Sequence, residues 1–592
     1  MTDRPATIVR DPAKLALPPN LGDWAQARQQ FRWSDVRHEL FGSAGGHGNI
    51  ASLALDRHLA AGRGRRTALR CVAEDGTVRD VSYAELASRA NRFANLLGAL
   101  GVGAGTRVFM LTGRRPELYE SVLGSFKAQC VVSVLFTAFG PEPLRTRLEI
   151  GEAEVLVTSA SLYRRKIAPI RAALPKLKHV LLLDADSATK AASQDPVTHN
   201  YELLMTAASQ EFTTLPTAAE LPALLHFTSG TTGTPKGALH VHDAALMHFA
   251  TGRYALDLHD QDIFWCTADP GWVTGMSYGV IAPLLHGVTL IVDAGDFEAE
   301  RWYRILDEQQ VSVWYTAPTA LRLLMKAGRE LADRFRRPSL RLIASVGEPL
   351  NAEAVWWGVD VLGQPILDNW WQTETGGIVV ANTPSQPIKP GSMGRPLPGI
   401  EACVVEHEAD GQIKVLQGPD VSGELALQRG WPSMFRTYLG QSERYDKCFV
   451  GELYLSGDLV RRDADGYYWF LGRSDDVIKT SGHLVGPFEI ERVLMEHPAV
   501  IEAAVVGLPD PIAGESIKGF VTLRAGEDAD DSLRSQLIAH ARRRLGPSLA
   551  PRDIAFVESL PHTRSGKIMR RLLRSRELGL PEGDTSALEI AR

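Results

Sequence analysis

The chain has 592 residues, with 64 basic and 70 acidic side chains and a net charge of −6. So modest and mixed a charge gives no reason to expect nucleic acid or a membrane surface as partner, and no apolar run approaches the roughly 18 residues that would span a bilayer. Five cysteines (Cys71, Cys130, Cys266, Cys403 and Cys448) lie far apart with no Cys-x-x-Cys, which points to a reduced, cytoplasmic protein using them as small core residues. The first residues hold charges and prolines but no apolar core of a signal peptide.

Residues 1–47 carry scattered prolines and aromatics (Trp24, Phe31, Trp33, Phe41) and read as an N-terminal extension lying on the main body. Residues 81–101 are expected to form a helix. Ser82 and Glu85 make a capping box, Leu86, Ala90, Phe93, Leu97 and Leu100 share a face, and Gly101 stops it. Strands are expected at 107–111, 131–136, 155–159 and 180–184, with a helix at 117–128. This alternation argues for a parallel sheet covered on both faces. Residues 185–220 are polar and weakly patterned, and read as a surface connection.

An apolar run at 221–227 then leads into Thr-Ser-Gly-Thr-Thr-Gly-Thr-Pro-Lys-Gly at 228–237. Glycines let successive backbone N–H groups converge, hydroxyls add donors, and Lys236 adds a mobile cation; this suits a polyphosphate, although the order of a Walker A loop is absent. The same composition also suits a polar surface loop. Residues 311–322 read as a strand, a turn and the start of a helix, and 340–349 end in Ser-Val-Gly-Glu-Pro. Asp-Asn-Trp-Trp-Gln-Thr-Glu-Thr-Gly-Gly at 368–377 sets a carboxylate among hydroxyls, which is plausible for Mg²⁺ because that ion takes one or two carboxylates plus substrate phosphates. Short strands are expected at 423–427, 454–458, 467–471, 477–479, 503–507 and 519–524. A helix is expected at 531–545, with Arg542, Arg543 and Arg544 near its end.

The stretch 228–237 resembles the phosphate loop of the AMP-forming acyl-CoA synthetases, in the adenylate-forming superfamily. The other motifs agree in the family's order from residue 48 to residue 575, with the strongest resemblance to acetyl-CoA and propionyl-CoA synthetases. The resemblance implies an α/β fold: a large domain of mixed and parallel sheets flanked by helices (1–474, including the extension 1–47) and a small, mobile α+β domain (475–592) hinged at Asp475. It implies that Thr228, Ser229, Gly230, Thr231, Thr232, Gly233 and Lys236 hold the phosphates of ATP. Gly347, Glu348, Pro349, Asp368, Asn369 and Trp370 would border the adenine. Asp458 would bind the ribose, and Arg473 the ribose or phosphates. Thr373 would contact the α-phosphate and Glu374 would hold Mg²⁺. Val273, Thr274, Val346 and Trp371 would line the acyl pocket, with the Trp371 indole leaving room for two or three carbons; members taking longer acids carry a smaller residue there. CoA would meet Ala138, Ser481, Gly482, His483 and Arg542. Lys567 would be the catalytic cation, and it stands in a motif like the one that lysine acetyltransferases and deacetylases act on.

The expected function is therefore ATP-dependent ligation of acetate or propionate to CoA through an acyl-AMP, with Mg²⁺ as cofactor. A medium-chain synthetase and a non-catalytic nucleotide-binding homologue are the alternatives. An adenylating domain serving a carrier protein fits less well, since no carrier domain follows. One departure bears on substrate length. Acetyl-CoA synthetases carry arginine after Ser-Gly-His, where this chain has Leu484, so that nucleotide contact must come from elsewhere, with Lys479 or Arg473 as the nearby cations.

Overall fold

Short apolar runs rich in β-branched and aromatic residues build two large sheets, because a strand buried on both faces needs no polar alternation. A computed structural model describes the chain apart from residues 1–3, 43–47, 185–196, 229–234, 409–410, 475, 477, 481–482, 512–513, 525, 548, 564–566, 583–584, 586–587 and 589–592, and apart from the side chains of Lys479, His483 and Leu484. The first sheet has eight strands, in the order Thr437–Tyr438, Lys236–Val241, Pro222–Thr228, Val131–Val134, Arg107–Leu111, Val155–Thr158, His179–Leu182 and Thr198–Asn200. The second has nine; its parallel centre runs Ile366–Trp370, Leu342–Ser345, Val313–Thr316, Ile263–Cys266, Thr289–Asp293 and Thr67–Val72. A six-stranded antiparallel sheet over 402–473 and a five-stranded sheet over 478–556 complete the architecture.

The expected helix forms as Tyr83–Ala99, with both hydrogen bonds of the Ser82–Glu85 capping box present, and the later one as Asp531–Leu545, capped by Asp530. Other elements differ from expectation. Residues 198–207 are not plain connection: strand Thr198–Asn200 leads into helix Tyr201–Ala207, capped by Asn200, and Tyr201 is buried against Glu120. The strands Leu453–Arg462 and Val421–Gln428 are longer than expected: the first alternates buried and half-buried positions through polar residues, and the second extends its buried run 424–427 with the half-buried or exposed residues 421–423 and 428. Val500–Asp510 and Gly514–Leu523 likewise form one long hairpin. The N-terminal extension lies on the body, as Trp24 Nε1 donates to Pro396 O at 2.9 Å and Ile8 pairs with Ile388. All five cysteines are free; Cys130 and Cys266 are buried, and the other three half-buried.

Several histidines are built into the core as neutral rings. His240, His242 and His248 are buried, each makes a single hydrogen bond (to Ser433 O, Ile50 N and Gly376 O), and each leaves its other ring nitrogen without a partner. Burial lowers their pKa values to about 4, 3 and 4. The unfolded chain then binds protons that the folded chain refuses, so stability is full above the ordinary histidine pKa and drains away as pH falls toward these values. Lowering the pH from 7.5 to 5 is expected to cost about 2 kcal/mol for each of the three. Urea midpoints measured at several pH values check this; a midpoint constant over that range contradicts it.

Candidate active site

The strand Pro222–Thr228 of one large sheet and the strand Ile366–Trp370 of the other lead directly into the two motifs of the expected site, at strand ends where parallel sheets usually bind ligands because helix N-termini and loops gather there. Thr228 and Lys236 face each other across an antiparallel pair, with Thr228 closing one strand and Lys236 opening the next. Residues 229–234, holding the expected contacts Ser229, Gly230, Thr231, Thr232 and Gly233, lie outside the described residues. The short strand Thr437–Tyr438 pairs with Lys236–Val241 from the other side and sets the Tyr438 ring 5.1 Å from Lys236 Nζ. The Tyr438 hydroxyl donates to Glu374 Oε1 at 2.6 Å. Burial and Arg444 lower the Lys236 pKa, while Glu374 opposes them.

The turn carrying Thr373 and Glu374 is fixed from several sides. Thr375 Oγ accepts from Gln372 N at 2.9 Å, and the Thr375 carbonyl accepts from Trp431 Nε1 at 2.8 Å and Ser433 Oγ at 2.6 Å. Phe435 N donates to Glu374 O. Thr373 and Glu374 are both half-buried, and Tyr438 engages one oxygen of the Glu374 carboxylate. A carboxylate with an oxygen to spare beside a hydroxyl fits Mg²⁺, which draws its remaining ligands from water and phosphate. No cluster of three or more metal-ligating side chains occurs among the described residues.

Asp458 is held by three side-chain donors. It is buried, and it accepts from Trp370 Nε1 at 2.8 Å, Gln372 Nε2 at 3.0 Å and Arg473 Nη1 at 2.8 Å. Arg473 stands directly opposite it across the strand pair. These donors aim the carboxylate, and with two of them on Oδ2 and one on Oδ1 a lone pair of Oδ1 is left to accept from a hydroxyl. Gly347 has φ +93°, and a Cβ there would sit 2.5 Å from the Trp272 ring, so the segment Gly347–Pro349 closes down on that indole. Glu348 accepts from Thr319 Oγ at 2.6 Å and Arg322 Nη2 at 2.6 Å. Asp368 and Asn369 are buried at the end of their strand, where burial pushes the Asp368 carboxyl well above the usual range.

The four residues expected to line an acyl pocket are all buried. Val346 and Trp371 directly follow the adjacent strands Leu342–Ser345 and Ile366–Trp370, and both are buried. Trp371 Nε1 donates to the Tyr315 hydroxyl at 3.2 Å, which donates to Asn369 Oδ1 at 2.9 Å; the Tyr278 ring packs edge-on to the indole at 5.2 Å. Val273 and Thr274 are buried in the helix Val273–Met276. A Cβ on Gly271 would lie 2.6 Å from Phe136 N, which puts this wall directly on the loop 136–141, where Ala138 is exposed.

Lys567 comes from the far end of the chain. It is exposed, and desolvation by the protein around it lowers its pKa. Asp458 opposes this, Arg473 adds to it, and Glu374 and Glu348 oppose it. The amine thus lies within electrostatic reach of the groups expected to bind ribose, metal and adenine. On the expected CoA face, Ser481, Gly482 and the hinge Asp475 lie outside the described residues, as does the His483 side chain. Arg542 is exposed in the last turn of Asp531–Leu545 and joins no contact around Asp458 or Glu374. Sequence reasoning missed Gln372, Tyr438, Tyr315 and Tyr278. Gln372 and Tyr438 adjoin recognised elements, but only the fold shows what they touch.

Residues 56–439 match the family model "AMP-binding enzyme", and residues 489–567 match "AMP-binding enzyme C-terminal domain". The acetyl-coenzyme A synthetase of Bacillus subtilis strain 168 is 44% identical over 579 residues, covering 96% of this chain and 98% of that protein. That of Deinococcus radiodurans is 40% identical over 590 residues, covering 96% and 88%. Among solved structures, Brucella canis acyl-CoA synthetase superposes with a TM-score of 0.73 at 35% identity, covering 94% of this chain and 99% of that one. An anthranilate CoA ligase in complex with anthranoyl-AMP superposes with a TM-score of 0.81 at 28% identity, covering 92% and 99%. With its fold, its motifs and these relatives in agreement, this chain belongs to the AMP-binding enzyme family, together with the acetyl-CoA synthetases.

Proposed function

We propose that the chain joins a short-chain carboxylic acid, acetate or propionate, to CoA through an acyl-AMP, releasing pyrophosphate and AMP. The observation that supports this reading is that Lys567 lies within electrostatic reach of Asp458, Arg473 and Glu374, with Asp458 and Arg473 paired and the buried Trp371 just ahead of the Gln372–Glu374 turn. In the first half, the acid's carboxylate attacks the α-phosphorus of ATP. Two anions approach each other, so the site must neutralise charge building on the α-phosphate oxygens. Lys567 and Thr373 supply a cation and a hydroxyl there, Lys236 and the loop 228–237 hold the outer phosphates, and Asp458 anchors the ribose. Glu374 would hold Mg²⁺ with the phosphates, which adds further positive charge when bound.

In the second half, the CoA thiol attacks the acyl carbon and AMP leaves. For the thiol to enter where Lys567 stood in the first half, the small domain would turn about Asp475 and bring residues 481–483 inward. Because the first half depends on the Lys567 charge, acetylation of that amine by a lysine acetyltransferase blocks adenylation and spares the second half. Arg473, already bound to Asp458, is the cation nearest to doing the work of the arginine that Leu484 replaces.

The test is acid-dependent ATP–pyrophosphate exchange without CoA, scanned from acetate to octanoate. The expected maximum lies at acetate or propionate. A maximum at butyrate or beyond keeps the enzyme class and moves the pocket floor, and exchange with no acid, despite ATP binding, leaves a nucleotide-binding homologue.

A further inference from the structure

Between the adenine-side loop and the Lys567 hairpin runs a chain of charges that the reaction chemistry does not use. Arg322, on the helix Pro318–Ala327, is half-buried and reaches Glu348 at 2.6 Å and Glu502 at 3.5 Å. Glu502 belongs to the strand Val500–Asp510 of the five-stranded sheet, so the second contact crosses from one body of the protein to the other. Its Oε1 also meets His562 Nε2 at 2.9 Å. His562 pairs with Ile568, and Thr563 N donates to Lys567 O at 2.7 Å, so His562 sits in the frame that presents Lys567.

We propose that Arg322, Glu502 and His562 form a latch that seats the Lys567 hairpin over the nucleotide cleft and releases it for the second half-reaction; this rests on the two-step reading above. The geometry suits a contact that must break. Glu348 and Thr319 keep Arg322 satisfied when Glu502 departs, and His562 keeps Glu502 satisfied. Neither partner is left as a bare buried charge, whose desolvation would make opening costly. The cross-body pair is also the longest contact in the chain, as expected of its weakest link. Burial opposes protonation of His562, but the hydrogen bond and charge of Glu502 raise its pKa, so the imidazolium form is favoured while the latch is set. The three are positioning residues, acting on the α-phosphate only through Lys567.

The test compares Glu502→Gln with wild type in two assays: acetate-dependent ATP–pyrophosphate exchange, and thioester formation from supplied acetyl-adenylate and CoA. Expected is a fall of about tenfold in kcat for exchange, with KM for ATP within about twofold and thioester formation undiminished. His562→Leu should behave alike, and His562→Lys, which keeps a cation against Glu502, should recover most of the loss. Arg524→Ala removes the exposed cross-body pair Arg524–Glu353 and should change exchange less than about twofold. Equal loss in both assays, or no loss in either, overturns the latch. Absence of exchange in wild type with every acid overturns the two-step reading instead.

Discussion

Replacing Lys567 with alanine will lower acid-dependent ATP–pyrophosphate exchange by about 10²–10³, the usual loss when a positioned donor to developing negative charge is removed. Thioester formation from supplied acyl-adenylate and CoA will stay within about twofold of wild type. The asymmetry follows from what the amine faces. Its electrostatic neighbours are Asp458, Arg473, Glu374 and Glu348, the groups proposed to surround the nucleotide, and none is among those proposed for the acid's pocket. In the second half the leaving group is AMP, whose departure needs no such cation at the α-phosphorus. Assaying both halves on one preparation separates this from misfolding, since a damaged protein loses both together. Equal loss in both assays would remove Lys567 from its proposed role.

Replacing Trp371 with glycine will shift the preferred acid from acetate or propionate to longer chains. The indole is held by a hydrogen bond to Tyr315 and an edge contact with Tyr278, so it is a fixed wall rather than a movable plug. Removing it opens the pocket by a bicyclic ring's volume. Each added methylene that packs there is worth roughly 10- to 200-fold in discrimination, so kcat/KM for pentanoate or hexanoate should overtake that for acetate. The cavity will also lower stability by about 3–5 kcal/mol, the usual cost of truncating a buried aromatic. Steady-state kinetics across the acid series, run well below the variant's unfolding temperature, decide the matter. An unchanged chain-length profile would mean that Trp371 does not form the pocket floor.

The motifs of the proposed site stand out in the sequence because they are local. Residues 228–237 and 368–377 hold their chemistry within ten residues, and the Ser82–Glu85 capping box and the helix Asp531–Leu545 follow from spacing alone. Strand lengths were less legible. In Leu453–Arg462 the polar residues Ser456, Asp458 and Arg461, the first two of them buried, broke the apolar signal that short buried strands give. The short elements at 198–207 were hidden for a related reason, being polar or half-buried over most of their length. Contacts between distant segments were not legible at all. No local pattern says that Tyr438 meets Glu374, that Gln372 meets Asp458, or that Arg322 meets Glu502. Each depends on which sheet edges the chain finally brings together.

The short strand Thr437–Tyr438 carries a consequence for how the protein comes to be active. It closes the edge of a sheet whose neighbouring strand lies far earlier in the chain, and beside it Arg436 pairs with Glu220 across 216 residues of sequence. Contacts so remote form late, because a long loop must close before they return anything. During synthesis the strand pair Pro222–Thr228 and Lys236–Val241 emerges with no partner on its outer edge, and Lys236 waits for Tyr438 until most of the chain has left the ribosome. Catalytic competence is therefore among the last properties the nascent protein acquires, well after its helices and central strands have formed.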